Sequence, residues 1–152
     1  MAADPPRVLT FVDVDVLARA DDVSDPVARD RARQWLEHLW LKRSGRTSQQ
    51  VLDEYYVLVT RLGAGLSPGD ARAKLRRYQV WHPWQTDART VETAWGMEAR
   101  FGLSYWDALA VAAAAQSGCH YLLTQSLPHR TAFDQVTTLS PQHCLPSEIH
   151  DV

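Results

Sequence analysis

Residues 8–17 read Val-Leu-Thr-Phe-Val-Asp-Val-Asp-Val-Leu, and this stretch decides the fold. Its apolar run, with β-branched and aromatic members, follows two prolines and predicts a buried strand over residues 7–12. Asp13 and Asp15 come directly after that strand. In open α/β sheets, ligands bind outside the carboxyl ends of the strands, so both carboxylates are candidates for chemistry. The alternative is a turn or the start of a helix, where Asp is a common N-cap.

The composition is that of an ordinary globular protein. The chain has 152 residues, of which 45% are hydrophobic and 22% charged, and its formal net charge is -2. We therefore expect a single domain over residues 1–152, with residues 1–6 and about 142–152 as loose tails. The net charge gives no indication that the protein binds nucleic acid, so any contact with nucleic acid must come from a local basic patch.

The cysteine content and the hydrophobicity of the chain point to the cytoplasm. Two cysteines, Cys119 and Cys144, make no disulfide framework and fit a reducing compartment. The first ten residues lack the pattern of a signal peptide. The longest uncharged run, residues 108–121, is too short to cross a bilayer. We expect a cytoplasmic protein without membrane contact.

Strands that alternate with helices predict a small, mostly parallel α/β sheet. The predicted strands cover residues 7–12, 80–84, 120–124 and 136–139, with a very short strand or a connector at 47–48. The predicted helices cover a turn at 18–20 and residues 26–42, 49–62, 68 onward, 88–101 and 105–117, with a loop over 125–134. The helix from residue 105 is so apolar that it must be central and buried.

Two further carboxylates are candidates for a site with Asp13. Asp107 lies in the first turn of the most apolar helix, where it is either a metal ligand or part of a capping box that begins at Ser104. Glu54 lies among apolar residues, although a Glu there is usually solvated. Oxygen ligands of this kind suit Mg²⁺ or Mn²⁺. A cation removes the repulsion among the three acids and can activate water against a phosphodiester.

Four pieces of the sequence resemble one known family in the same order. They are Phe11-Val-Asp13-Val-Asp15-Val-Leu17, Gln50-Val-Leu-Asp-Glu54-Tyr-Tyr, Leu103-Ser-Tyr-Trp-Asp107-Ala-Leu and His120-Tyr-Leu-Leu-Thr124. The chain resembles a PIN-domain ribonuclease of the VapC toxin type over nearly its full length. The resemblance implies a three-layer α/β fold and Mg²⁺-dependent cleavage of RNA, with Mn²⁺ as a substitute. It also implies a homodimer and a small antitoxin partner.

The resemblance also implies roles for individual residues. Asp13, Glu54 and Asp107 would form the catalytic triad, and Asp13 and Asp107 would be the principal metal ligands. The family usually has an acidic pair after the threonine at position 124. This chain has Gln and Ser126 there, so the fourth acid is missing.

A second departure from the family pattern lies near the first acid. The family usually has Asn two positions after that acid, where this chain has Asp15. We hypothesise that Asp15 partly replaces the charge that is lost at Ser126, with Thr124 also in a supporting role. One metal instead of two, weaker Mg²⁺ affinity and loss of activity all remain open.

Two other functions compete with the nuclease. The strand that ends at Asp13-x-Asp15 also resembles haloacid-dehalogenase-type phosphatases, but their downstream Lys and late acidic pair are missing. A PIN-like protein that binds RNA or a partner without turnover is the other alternative.

The sequence offers several positions for RNA contact outside the acids. Trp81, Trp84 and Arg46 are candidates, although packing or solvated surface is the more common explanation for each of them. The basic residues of the helix after Ser67 are either a solvated face or a contact to the phosphate backbone.

Overall fold

A five-stranded sheet lies at the centre of the computed structural model, which describes residues 7–61 and 65–152. The strands are β1 (Thr10–Val12), β2 (Gly45–Arg46), β3 (Tyr121–Leu123), β4 (Ala132–Phe133) and β5 (Val136–Leu139). Their order is β2-β1-β3-β5-β4, and only β4 runs antiparallel to its neighbour. The chain therefore crosses from one side of β1 to the other. A ligand site is expected where the strand order reverses in this way.

Helices flank this sheet, as the alternating pattern predicted. They are α1 (Val14–Arg19), α2 (Pro26–Lys42), α3 (Gln49–Arg61), α4 (Pro68–Tyr78), α5 (Ala88–Phe101) and α6 (Tyr105–Gln116). Side chains of Asp25, Ser67, Asp87 and Ser104 accept hydrogen bonds from backbone amides at the start of α2, α4, α5 and α6. The mostly parallel α/β architecture is confirmed.

The predicted strand over residues 80–84 is wrong. Residues Gln79–Trp81 continue α4 as a 3-10 helix, and the chain reverses at His82, whose φ is 50°. The indole of Trp81 is the reason, because it is buried against Trp40 and Tyr78 with ring centroids 4.7 and 5.0 Å away. Only an isolated parallel bridge joins Trp84 to residue 48.

Other element boundaries also differ from the prediction. Helix α1 begins at Val14, directly after β1, because Asp13 caps it. Strand β1 is confined to three residues. The edge strand β2 lies just before the expected position 47–48. Strand β4 interrupts the expected loop over residues 125–134.

The segment after Pro141 differs from the loose tail that the sequence predicts. The indole nitrogen of Trp35 donates a 2.9 Å hydrogen bond to the carbonyl oxygen of Cys144. Ile149 is buried, and a 3-10 helix forms over Pro146–Glu148. This segment therefore packs against α2 and completes the core there. Residues 1–6 lie outside the described residues.

No helix among the described residues is both long enough and apolar enough to cross a membrane.

Candidate active site

Asp13 joins the sheet to the first helix. Its backbone amide donates to the carbonyl oxygen of Leu123 on β3 at 3.0 Å, which continues the pairing of β1 beyond the end of the strand. Its carboxylate atom Oδ1 accepts from the amide of Val14 at 2.8 Å and so caps α1. The side chain is 8% exposed. Asp13 is thus the helix cap that the sequence allowed as an alternative, and its second oxygen still faces the end of β3.

The residues that follow β3 hold both N-terminal carboxylates. Thr124 is fully buried, and its hydroxyl lies 2.9 Å from Asp13 Oδ2 in hydrogen-bonding geometry. The backbone amide of Gln125 donates to Asp15 Oδ2 at 2.8 Å. Because β1 and β3 are neighbours, these bonds fix the two acids against one edge of the sheet.

Asp107 approaches the same edge from α6. Ser104 caps that helix by accepting from the amide of Asp107 at 3.2 Å. The Asp107 carboxylate instead accepts from Ser126 Oγ at 2.8 Å. Ser126 Oγ also lies 3.0 Å from the hydroxyl of Thr124. Two hydroxyls therefore connect the carboxylates of Asp13 and Asp107.

Glu54 approaches from α3, one and a half turns into the helix. Ser48 starts this helix, since its hydroxyl accepts from the amide of Val51 at 3.1 Å. Gln50 lies one turn before Glu54, and its amide nitrogen donates to Glu54 Oε1 at 3.0 Å. The Glu54 carboxylate is half-buried and oriented by this bond.

These acids surround one cavity of about 140 Å³. The cavity is lined by Asp13, Asp15, Glu54, Asp107 and Ser126, together with Ser48, Gln50, Trp106 and several apolar side chains. The structure therefore brings together every acid that the sequence singled out. Gln50 and Trp106 were not predicted as site residues, because only the fold shows that their side chains reach this cavity.

The match of the chain to known families decides its classification. A family model described as PIN domain matches residues 10–125, a span that runs from β1 to the residue after Thr124. The chain belongs to the PIN domain family. Membership in this family supports a nuclease, as the resemblance in sequence implied, and disfavours the haloacid-dehalogenase-type phosphatase. A search of curated proteins found no significant match.

Solved structures with a similar fold include PIN-domain toxins. The Mycobacterium tuberculosis toxin VapC20, described as cleaving the sarcin-ricin loop, is 25% identical, with a TM-score of 0.58 over 74% of this chain and 86% of that one. A toxin–antitoxin complex from Klebsiella pneumoniae is 16% identical, with a TM-score of 0.63 over 85% of this chain and 96% of that one. DNA-bound VapBC from Salmonella typhimurium is 13% identical, with a TM-score of 0.62 over 88% of this chain and 98% of that one.

Burial makes the carboxyl groups of Asp13 and Asp15 harder to ionise. Burial, and then the nearby charge of Asp15, raise the pKa of Asp13 to about 7. Burial also raises the pKa of Asp15. One oxygen of Asp15, Oδ1, is buried and has no hydrogen-bond partner among the described residues. Such an orphaned oxygen is costly unless something positive reaches it.

The acids of the cavity fit a hard divalent cation in their donor chemistry. Carboxylate and hydroxyl oxygens suit Mg²⁺ or Mn²⁺, and the orphaned oxygen of Asp15 has a free acceptor position. Within residues 7–61 and 65–152, however, no three His, Cys, Asp or Glu side chains are already close enough to hold a metal ion together. The Asp107 carboxylate is engaged by Ser126 instead. Water or a substrate phosphate would have to complete the coordination, as is usual for Mg²⁺.

The residues suggested for RNA contact lie elsewhere. Trp81 is 2% exposed and belongs to the core, and the indole nitrogen of Trp84 donates to Thr90 Oγ1 at 3.0 Å. Arg46 donates to the carbonyl oxygen of its neighbour Gly45 at 2.7 Å. None of the three is among the residues that line the acid cavity.

On the basic helix α4, three of the basic side chains have partners within the protein. The guanidinium groups of Arg72 and Arg77 lie over the rings of Tyr56 and Trp40, and Lys74 forms an ion pair with Asp21. These contacts favour a structural role for these three residues.

Proposed function

We propose that this PIN domain is a Mg²⁺-dependent endoribonuclease. The observation that carries the proposal is the convergence of Asp13, Asp15, Glu54 and Asp107 on one cavity at the carboxyl ends of β1 and β3. Membership in the PIN family supports the reaction class. Buried carboxylates with raised pKa values and an orphaned oxygen support the need for a cation.

In the proposed reaction, Asp13 and Asp107 would hold the cation, and Asp15 would support them from the first turn of α1. A bound divalent cation neutralises the acids and draws charge from the phosphate. Hydrolysis adds water to the phosphodiester: the water oxygen bonds to phosphorus as the bond from phosphorus to one ester oxygen breaks. One proton of the water is transferred to the leaving oxygen, and the other stays with the phosphate product. Glu54, oriented by Gln50 at 3.0 Å, holds the attacking water in line. Thr124 keeps the Asp13 carboxylate facing the cavity through its hydroxyl.

Cleavage of a labelled single-stranded RNA with and without Mg²⁺ tests this proposal. We expect cleavage that EDTA abolishes, and a loss of at least 100-fold in Asp107→Asn and Glu54→Gln, in line with removal of a principal catalytic group. Asp53→Asn is the matched control, because Asp53 lies next to Glu54 on α3 but is exposed, and its carboxylate accepts a hydrogen bond from Gln49. Cleavage that persists in Asp107→Asn would point to a contaminating nuclease and overturn the proposal.

We further propose that the protein is the toxin of a toxin–antitoxin pair, active in the cytoplasm as a homodimer. Similarity in fold to VapC toxins and to toxin–antitoxin complexes supports this role. The chain also exposes large apolar side chains that an assembly would cover. They include Val27, Leu41 and Val80.

A growth assay tests the toxin role. Induced expression should arrest growth, and co-expression of the product of a small adjacent gene should relieve the arrest. Light scattering of the purified protein should give twice the chain mass of 17.2 kDa. Normal growth with an intact cavity, or a monomer at micromolar concentration, would contradict these parts of the proposal.

A second candidate is a PIN-like protein that binds RNA or a partner without turnover. The hydrogen bond from Ser126 to Asp107 favours it, because a hydroxyl occupies an oxygen that a cation would need. RNA that stays intact with Mn²⁺ while binding is retained would select this alternative.

A further inference from the structure

We propose that Trp106 is the stacking platform for an unpaired base next to the cleaved phosphodiester, and that it restricts the enzyme to single-stranded RNA. This inference rests on the proposed ribonuclease function and names the part of the substrate that the site would select. Trp106 directly precedes Asp107 at the start of α6. Its side chain is 63% exposed, yet it lines the same cavity as the acids.

The exposure of Trp106 is unusual for its position. Helix α6 otherwise has the longest buried run of the described helices, since every residue from Ala108 to Ala114 is buried. Burying one large aromatic side chain contributes roughly 1.5–3 kcal/mol of stability, so leaving an indole in solvent forgoes that gain. Burial in the fold therefore does not account for a tryptophan here, whereas contact with a ligand at the rim does.

The indole is supported from one side. The ring of Tyr105 meets it at 69°, with centroids 5.3 Å apart, and Tyr105 itself packs against the core. This contact limits the rotation of the indole before any ligand arrives. A platform that is already ordered loses less entropy on binding.

The size of the cavity argues that bases lie outside it. Its volume of about 140 Å³ is well below the ~300–1,000 Å³ that pockets for whole small-molecule ligands usually have. The cavity has room for a hydrated cation and a phosphate group, but not for the flanking nucleosides as well. A base attached to that phosphate must therefore lie on the rim, where Trp106 presents its open surface.

The chemistry of an indole then defines the substrate class. Aromatic side chains stack on bases that have been unstacked from their neighbours, and every base has a face suited to this. Bases within a duplex are already stacked on both sides, so Trp106 gives no advantage to duplex RNA. Since the indole is uncharged, it adds no salt dependence to binding.

Binding in EDTA separates stacking from cleavage. We would measure the affinity of a fluorescently labelled single-stranded RNA for the wild type, Trp106→Ala and Trp106→Phe by anisotropy. We expect Trp106→Ala to weaken binding by about 5- to 150-fold and Trp106→Phe to retain most of the affinity. The slope of affinity against salt should be the same for all three proteins. The same RNA annealed to its complement should bind the three proteins equally.

Trp95→Ala is the matched control, because Trp95 is also a half-exposed tryptophan, 53% accessible, but lies on α5 away from the cavity. It should bind RNA as the wild type does. Cooperative thermal unfolding of each variant should show that it remains folded at the temperature of the binding assay.

Three results would overturn the inference. Equal single-stranded RNA binding by Trp106→Ala and Trp95→Ala, in a protein that cleaves RNA, would refute the platform while leaving the ribonuclease intact. A loss of dimer in Trp106→Ala with RNA binding unchanged would assign the indole to a contact between copies. A wild type that neither cleaves nor binds RNA would refute the proposed function and this inference with it.

Discussion

Ser126 Oγ donates a 2.8 Å hydrogen bond to Asp107 Oδ1, at the position where the resemblance in sequence predicts a fourth acid. The carboxylate of Asp107 is thereby held by a neutral hydroxyl instead of being repelled by a neighbouring charge. Without a cation, the carboxylates of this cavity would repel one another less than those of a four-acid site. Binding of a cation would therefore relieve less repulsion here.

Restoring the acid should strengthen cation binding. A carboxylate in Ser126→Asp would meet Asp107 at about 4 Å, where two like charges repel by roughly 4 kcal/mol at an effective dielectric of 20. We expect Mg²⁺ and Mn²⁺ affinity to rise by at least tenfold and metal-free stability to fall, as measured by calorimetric titration and urea denaturation. Ser126→Ala serves as the control for loss of the hydroxyl alone. An unchanged affinity in Ser126→Asp would show that position 126 lies outside the cation site.

Removing the charge of Asp15 should weaken cation binding. An Asn can still accept from the Gln125 amide, so Asp15→Asn changes the charge while the 2.8 Å hydrogen bond persists. If Asp15 compensates for the missing acid, Mn²⁺ affinity falls by about tenfold, the equivalent of 1.4 kcal/mol. The exposed Asp53→Asn should leave affinity unchanged. Equal affinities of Asp15→Asn and the wild type would end the compensation hypothesis.

The metal-free protein should lose stability as the pH rises. Burial raises the pKa of Asp13 from 3.8 to about 7, so between these values the folded state holds a proton that the unfolded state has released. The free energy of unfolding therefore falls across that range. Asp13→Asn cannot ionise and keeps the helix cap. We expect Asp13→Asn to be more stable than the wild type at pH 8 by ~1–3 kcal/mol. This is less than the whole pKa shift of Asp13 would give at about 1.4 kcal/mol per pKa unit.

Urea denaturation in EDTA at pH 5 and pH 8 measures this effect of Asp13. The wild type should lose more stability than Asp13→Asn over that interval, and Asp53→Asn should follow the wild type. Parallel pH profiles of the wild type and Asp13→Asn would contradict the prediction.

Gly45 should tolerate no side chain. A Cβ at this position would overlap the indole ring of Trp81, which is buried between α2 and α4. We expect Gly45→Ala to destabilise the protein by about 1–3 kcal/mol through overpacking. Gly96→Ala is the control, because nothing lies within 4 Å of its Cβ and Ala favours the helix by roughly 0.5–1 kcal/mol. A neutral Gly45→Ala would show that Trp81 can shift at little cost.

The parts of the fold that the sequence predicts are those with local signals. Caps such as Ser67 and Asp87 stand at the starts of their helices because a side-chain oxygen satisfies free amides within three residues. The strand predicted around Trp81 failed because its burial depends on partners that are distant in sequence, Gly45 among them. Propensity cannot show such contacts, and tertiary packing overrides it.

The residues of the candidate site also divide into those with local signals in the sequence and those without. Asp13 and Thr124 were predictable, since both follow apolar strands whose carboxyl ends share one edge. Glu54 was a candidate only as one of three acids, and its role in a triad needed the family resemblance, because its helix carries no local mark of function. The exposure of Trp106 could not be predicted from so apolar a helix. This exposure depends on where the first turn of α6 lies relative to the sheet.

Asp13 both caps α1 and faces the cavity, with one carboxylate oxygen for each task. Substitutions of Asp13 therefore differ in what they remove. An apolar residue would remove the cap of α1, whereas Asn would keep the cap and remove the charge that the proposed reaction needs. In relatives that keep the fold but have lost activity, we expect position 13 to be Asn far more often than Ala or Val. Comparison of the sequences of such inactive relatives would test this expectation.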